Sequence, residues 1–508
     1  MRVSTSLVLA VFATFAPSLA SPTGQIDSST TTDPRPLVES NKLRRLLTRT
    51  DLLKQAETLQ SFALASGAGS TRGFGGPGHN ATINYILREV SKLSEWYDVE
   101  LQPFVERYSA ATGSLLLDGD SAVFYAARGS PSVEYLRAEI ATVVGEGCNS
   151  ENFSSKVAGR IALLSRGNCT ITYKSQLAAA AGAKAVIVYN NVAGTVLDGR
   201  LLEVPDIVPT GALSNADGLE LFARITAGET VQGEIRISSF SESRVTYNVI
   251  AQTKAGDPNN VIFIGAHSDS VPLGPGLNDN GSGSIGLLEV LLKLKDFKVN
   301  NAIRFGWWSA EEFGLLGATH YVSQLTDEEN LKIAMYLNFD MIASPNYIYG
   351  VYDGDGSAFG LSGPSGSAEI EYMFEDYFTD VGEASVPSAF TGRSDYGPFL
   401  EVNIPAGGLF TGAEVVKTAQ EAVLFGGQAG MPYDSNYHQP GDFVSNLNVG
   451  AFITNTKAIA HAVATYGRST EGFPKRRLVA GNRVISWSEG THGHAHDHSA
   501  GGCGDGLY

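Results

Sequence analysis

Between Val245 and Tyr466 the chain alternates short, wholly apolar runs with segments of helical periodicity, and this alternation constrains the fold more than any other feature. The run Asn260-Val-Ile-Phe-Ile-Gly-Ala266, Ala302 to Ser309 and Ile333 to Phe339 each have strand length, while about Gly283 to Leu294 and Val449 to Tyr466 read as helices. A strand that is apolar on both sides must be covered on both sides, so the pattern predicts an α/β fold, a mainly parallel mixed sheet sandwiched by helices. Ligands in such sheets gather beyond the carboxyl ends of strands. That rule directs attention to His267–Asp269, Ser309–Glu312 and Phe339–Met341.

Each of those strand ends carries metal-binding or titratable side chains. His267 and Asp269 close the first strand, Asp279 opens a Gly-rich turn, Glu311 and Glu312 close another strand, Asp340 closes a third, and His438 sits in Tyr437-His-Gln-Pro-Gly-Asp442. A single strand-end His is usually a satisfied hydrogen-bonder, and a strand-end Asp is commonly a helix cap. His267, Asp279, Glu312, Asp340 and His438 together are a different matter: two imidazoles and three carboxylates suit Zn²⁺, in a number sufficient for two ions sharing one carboxylate.

The segments Gly-Ala-His267-Ser-Asp269, Gly-Leu-Asn-Asp279-Asn-Gly-Ser-Gly, Glu311-Glu312-Phe-Gly-Leu-Leu-Gly, Asn-Phe-Asp340-Met and Tyr437-His438-Gln-Pro-Gly-Asp follow one another in the order found in the co-catalytic zinc aminopeptidases, which this part of the chain resembles. The resemblance implies that His267 and Asp340 hold one zinc, that Glu312 and His438 hold the other, that Asp279 bridges them, and that a cis peptide follows Asp279. It also implies Glu311 as general base, Asp269 as the carboxylate that orients His267, and Tyr437 as an electrophile for the oxyanion. Met341 and Phe410 occupy positions similar to the pocket for the first substrate side chain, and Arg393 lies where the substrate's amino end is placed through backbone groups. The expected activity is removal of amino-terminal residues, Leu or other apolar ones, from peptides. Rival readings are a glutamate-releasing carboxypeptidase, a glutaminyl cyclase and a non-cleaving peptide-binding ectodomain. Little Lys/Arg clusters near these residues, and all five ligands with Glu311 are intact, which argues against each of them.

From about Gly113 to Glu242 the texture changes to short β-rich runs, such as Arg160–Ser165 and Lys184–Tyr189. Arg166-Gly-Asn-Cys169, Tyr173-Lys174, the Ala-rich Leu177–Ala183 and Tyr189-Asn-Asn191 resemble the protease-associated domain, a non-catalytic module that borders a peptidase cleft. With this insert the chain is similar to the secreted fungal leucine aminopeptidases and the vacuolar aminopeptidase Y type. Some relatives carry a second cysteine pair near the site, which this sequence lacks.

The start of the chain reads as a secretory signal: one basic residue, an apolar stretch from Leu7 to Ala16, and Ser18-Leu19-Ala20. Secretion, with a vacuole as the alternative, places Cys148 and Cys169 in an oxidising compartment, where they are expected to form a disulfide. It also makes Asn80, Asn152 and Asn168 glycan acceptors; Asn280 is a triplet inside the expected active centre and is expected to stay bare. The organisation expected is a signal peptide (1–20), a propeptide or flexible segment (21–45), an amino-terminal helical part of the catalytic domain (46–112), the insert (113–242), the catalytic domain (243–470) and a His/Gly-rich tail (471–508). In the helical part, Asn80 or Thr82 is expected to cap the second helix, and His79 to lie in a Gly-rich turn. The tail's His492, His494, His496 and His498 are given no catalytic duty. Lys+Arg 36 against Asp+Glu 53 leaves a net charge of −17, which excludes polyanion binding by simple electrostatics, and no run after the signal is long and apolar enough for a membrane span. The expected protein is a monomer acting on peptides with a free amino terminus.

Overall fold

The computed structural model describes residues 33–67, 69–191, 199–202 and 204–477. The signal peptide and the four tail histidines lie outside the described residues. Two compact units divide the chain, 1–35 and 36–508. In the described part of the first, Arg35 pairs with Asp33 at 2.7 Å.

The second unit is built on a sheet whose central strands Ala406–Phe410, Ile333–Asp340, Asp257–His267 and Asn301–Trp308 lie side by side and parallel. Antiparallel strands flank them, Gly350–Tyr352 on one side and Gln232–Thr253 on the other. Parallel pairing brings the carboxyl ends to one edge, with His267 beside Trp308 and Asp340 beside Phe410. The stretch from Val261 to Ala266 is apolar throughout because both faces are covered. Ile262 and Ile264 join Leu287 and Leu291 of the Gly283–Leu294 helix and Ile459 and Val463 of the Val449–Arg468 helix. Phe263 points the other way, into an aromatic cluster with Trp308, Tyr336 and Phe399, as the two-residue period of a strand requires. Burial of each such side chain contributes about 1.5–3 kcal/mol. Gly265 is required here: a Cβ would lie 2.2 Å from the Tyr336 hydroxyl, which accepts from Trp308 Nε1 at 2.8 Å.

The insert grows out of this sheet on two long strands, Tyr97–Leu117 and Gln232–Thr253, paired antiparallel from Tyr97 opposite Thr253 to Leu117 opposite Gly233. At the far end Val133–Thr142 joins Gln232–Thr253 and continues into parallel strands Ile161–Ser165, Ala185–Tyr189 and Thr210–Leu213. Helices Ile171–Ala180 and Asn215–Thr226 pack on them, so the insert is not made of strands alone. Cys148 and Cys169 form a disulfide.

The helix expected to be capped by Asn80 or Thr82 begins earlier, at Pro77, and neither residue caps it. Proline suits a first helical position because its missing N–H has no partner to lose there. Thr82 turns its hydroxyl back to the Gly78 carbonyl, and Asn80 Nδ2 donates to Gly75 O at 3.1 Å. Of the glycan triplets, Asn168 is exposed and Asn80 and Asn152 are half-buried. Asn280 is fully buried, donating to Phe339 O at 2.9 Å. No described helix is long and apolar enough to cross a membrane.

Two histidines, His79 buried and His461 half-buried, tie the fold to pH. His79 lies inside the Pro77–Ser91 helix rather than in a turn, its Nε2 3.0 Å from Ser268 Oγ; His461 Nδ1 lies 2.8 Å from Ser40 Oγ. Burial holds the pKa of each down at about 4, against an ordinary 6.5, and Arg44 lowers that of His461 further. The unfolded chain therefore takes up protons first, so the stability these residues contribute is full above pH 6.5 and is lost as pH falls toward 4. The melting temperature should drop across that window, and His461→Gln should reduce the drop; an identical pH profile for the variant would contradict this account.

Candidate metal centre

The structure brings the expected ligand residues to the carboxyl edge of the central strands. His267 and Asp340 are the last residues of their strands, and Asp279 lies in the irregular helical turn Leu277–Ser282, followed by a cis Asp279–Asn280 peptide. Glu311 and Glu312 correct the expectation that they close a strand. That strand ends at Trp308, and both glutamates sit in the 3-10 turn Glu311–Phe313. Ala310 before the turn and Leu315 after it have φ near +59°, and this reversal aims both carboxylates at the same cluster. Met341 and His438 also hold positive φ, 49° and 56°. Such conformations cost about 1–3 kcal/mol each, so their gathering here marks a site that the surrounding fold maintains against local preference.

One carboxylate organises the cluster. Asp279 Oδ1 lies 3.2 Å from His267 Nε2, and Oδ2 lies 3.0 Å from His438 Nε2. His438 Nε2 is also 3.0 Å from Glu312 Oε2, and His267 Nε2 is 3.4 Å from Asp340 Oδ1 and 3.8 Å from Glu311 Oε2. Ligand atoms about 2.0–2.1 Å from a tetrahedral zinc stand roughly 3.3 Å from one another, which matches the closer of these separations. Glu311 is farther from His267 Nε2 than Asp279 or Asp340 is. Asp269 stands beside His267 with Oδ1 at 3.6 Å from Nδ1, too long for a hydrogen bond, and that same oxygen accepts from the Glu311 amide at 3.1 Å.

The electrostatics suit a cation. Both ring nitrogens of His267, Glu312 Oε1 and Asp340 Oδ1 are buried without hydrogen-bond partners. Burial raises the carboxyl of Glu312 to about 7 and that of Glu311 well above the ordinary range, with neighbouring carboxylates adding to both. Burial opposes protonation of the histidines, yet Asp340 and Glu311 outweigh it at His267, and Glu312 and Asp279 raise His438 to about 10. A buried cluster that retains protons on imidazole and carboxyl alike is short of positive charge, and a nitrogen and carboxylate donor set fits zinc.

Around the cluster, Tyr437 stacks on His438, and its hydroxyl accepts from Arg393 Nη2 at 3.2 Å. Arg393 also pairs with Glu414 at 3.0 Å, so its side chain is engaged as well as its backbone. Burial pushes the Tyr437 phenol well above its ordinary range, with the Arg393 charge opposing, and the hydroxyl stays protonated. Phe410 is half-buried next to Asp340 in register, and Met341 follows Asp340, buried.

Three supporting residues are given no role by the sequence alone. Asp442 accepts from the amides of Asn278 at 2.9 Å and Asp279 at 3.0 Å, joining the two loops that present Asp279 and His438. Ser394 Oγ donates to Asp340 Oδ2 at 2.6 Å. Arg72, fully buried, donates to the carbonyls of Ser268 and Gly276 at 2.5 Å and of Pro275 at 2.8 Å. The closing Asp of Tyr-His-Gln-Pro-Gly-Asp442 was visible as part of a motif; the other two have no periodic or motif signature.

Known proteins resemble this chain in sequence and in fold. Residues 248–463 match Peptidase family M28, and residues 138–221 match the PA domain. Leucine aminopeptidase 2 of Arthroderma otae is 48% identical over 458 residues, covering 89% of this chain and 90% of that protein. The probable leucine aminopeptidase 2 of Aspergillus fumigatus is 48% identical over 475 residues, covering 93% and 94%. Among solved structures, an aminopeptidase from Aneurinibacillus sp. strain AM-1 shares the fold with a TM-score of 0.66 at 24% identity, covering 88% of this chain and 100% of that one. A zinc aminopeptidase from Bacillus subtilis gives 0.64 at 25% identity, covering 86% and 99%.

If the cluster is a cation site, zinc added to chelator-treated protein should raise its stability, by about 2.7 kcal/mol at roughly a hundredfold excess over Kd. Asp279→Asn should remove most of that rise in thermal unfolding; an unchanged zinc response in the variant would count against the site.

Proposed function

This chain belongs to peptidase family M28 as a zinc-dependent aminopeptidase akin to the fungal leucine aminopeptidases, and we propose that it removes apolar amino-terminal residues, Leu above all, at the cluster centred on Asp279. The observation that carries this reading is the pair of Asp279 oxygens, one turned to each histidine. Two zincs are assigned: His267 and Asp340 would hold one, Glu312 and His438 the other, and Asp279 both. When bound, the ions would make a water acidic enough to ionise near neutrality and would polarise the scissile carbonyl.

The remaining work falls to side chains. Glu311, which lies farther from His267 than Asp279 and Asp340 do, takes the proton of the attacking water and passes it to the departing amine. Its burial among other carboxylates raises its proton affinity well above that of an ordinary carboxylate, the direction such a shuttle needs. Tyr437, protonated and oriented by Arg393, donates to the developing oxyanion. Asp269 steadies the Glu311 backbone and adds its charge beside His267. Met341 and Phe410 supply an apolar wall for the first substrate side chain. Export as a monomer, with Asn80, Asn152 and Asn168 as glycan acceptors, completes the reading.

A panel of aminoacyl-anilides should show leucyl cleavage fastest and lost on chelation. Glu311→Gln should retain both zincs and lose kcat by about 10²–10⁴, and Tyr437→Phe should lose about 10² in kcat with little change in KM. A Glu311→Gln enzyme of undiminished turnover, or a wild type that cleaves no amino-terminal substrate, would overturn the mechanism.

A further inference from the structure

Among the described residues, three of the insert reach toward the metal centre, and all three meet backbone or side-chain groups at or next to one pair of proposed ligands. Arg128 Nη1 donates to the Glu312 carbonyl at 3.1 Å, with its guanidinium 4.8 Å from the Phe313 ring centroid. Arg200 Nη1 donates to the next carbonyl, that of Phe313, at 2.7 Å. Tyr125 donates its hydroxyl to Gln439 Oε1 at 2.5 Å, one residue beyond His438. These contacts fall beside Glu312 and His438 and not beside His267 or Asp340.

The device is built into the insert's backbone. Arg128 and Arg200 are paired by a parallel β-bridge, with Arg128 N donating to Gly199 O at 2.8 Å and Leu201 N donating to Arg128 O at 2.7 Å. That close approach depends on Gly129: φ there is +78°, and a Cβ would stand 2.3 Å from Leu201 O. Two guanidinium groups side by side thus grip successive carbonyls of the turn that carries the catalytic glutamates. The turn has need of such a grip, since it lies between left-handed Ala310 and Leu315 and has no side-chain cap at its start. Fixing the turn's backbone fixes where Glu312 presents its carboxylate.

From this we propose that the insert is a positioning device for one of the two zinc sites: Arg128, Arg200 and Tyr125 set the affinity of the site formed by Glu312 and His438, leaving the His267 and Asp340 site to the central sheet. The proposal rests on the two-zinc reading above. Groups outside the ligand set that orient ligands typically govern metal affinity by about 10–100-fold. Coupling is reciprocal, so zinc at that site should in turn steady the arginine-bearing segments of the insert.

The test is a zinc titration against a chromophoric chelator on the full chain, for the wild type, the double variant Arg128→Met/Arg200→Met, Arg200→Met, Arg200→Lys and Tyr125→Phe. Hydrogen exchange over 125–130 and 199–202 is read with and without zinc. Two zincs on the wild type, with one of the two bound at least about tenfold more weakly in the double variant and the other unchanged, would support the proposal. Arg200→Lys, which keeps a donor, should lose less than the corresponding Arg200→Met. Zinc should slow exchange in those segments of the wild type and not of the double variant. Should the double variant fail to fold, Tyr125→Phe, which removes a single hydroxyl, carries the same test with a smaller selective loss. Unchanged affinities, or equal weakening of both ions, would overturn the proposal while leaving the two-zinc reading intact. A wild type that binds fewer than two zincs would overturn that reading, and this inference with it.

Discussion

The structure turns on one carboxylate facing two imidazoles. Asp279 stands 3.2 Å from His267 and 3.0 Å from His438, and much of the neighbouring backbone is arranged to hold it there. The Asn278 and Asp279 amides are tied to Asp442, the Leu277 amide bonds the Asp442 carbonyl at 3.0 Å, and Asn280 reaches the Phe339 carbonyl at the end of the Asp340 strand. A turn in the middle of the chain, a loop near its end and a central strand thereby meet at one point. The parallel sheet supplies the ends, and the loops supply the convergence.

Burying that much acid has an electrostatic consequence. Asp279, Glu311, Glu312 and Asp340 are all nearly inaccessible to solvent, and burying charge is tolerable only where it is paired. The nearby buried cation, Arg72, spends its donors on three carbonyls instead of the carboxylates. The cluster thus resolves its charge by retaining protons, or by accepting cations, and the second alternative is the one an enzyme of this family uses. Glu311 lies farther from His267 than Asp279 and Asp340 do, and in the proposed mechanism it is the one given to proton chemistry.

The strand ends were legible in the sequence because continuous apolar runs mark central parallel strands and such strands gather function at one edge. The helices Gly283–Leu294 and Val449–Arg468 were legible for the same reason, through apolar spacing. The turn of Glu311 and Glu312 was not, since its path depends on left-handed φ at Ala310 and Leu315, residues with no local preference for it. Arg72, Arg128 and Arg200 escaped the sequence reading for a different reason. Each binds carbonyl oxygens, which every residue carries, so no partner residue type announces the contact. The early start of the Pro77–Ser91 helix follows from proline's fit to a first turn, a preference that outweighed the nearer polar caps.

The insert enters this account as more than a neighbour of the cleft, because the two long strands that carry it return its arginines to the catalytic turn. Everything nevertheless rests on Asp279 holding two ions. Diffraction from crystals of the zinc-loaded enzyme, collected on either side of the zinc absorption edge, tests this most directly. The account predicts two anomalous peaks flanking the Asp279 carboxylate, one toward His267 and Asp340 and the other toward His438 and Glu312. A single peak, or peaks lying away from Asp279, would contradict it.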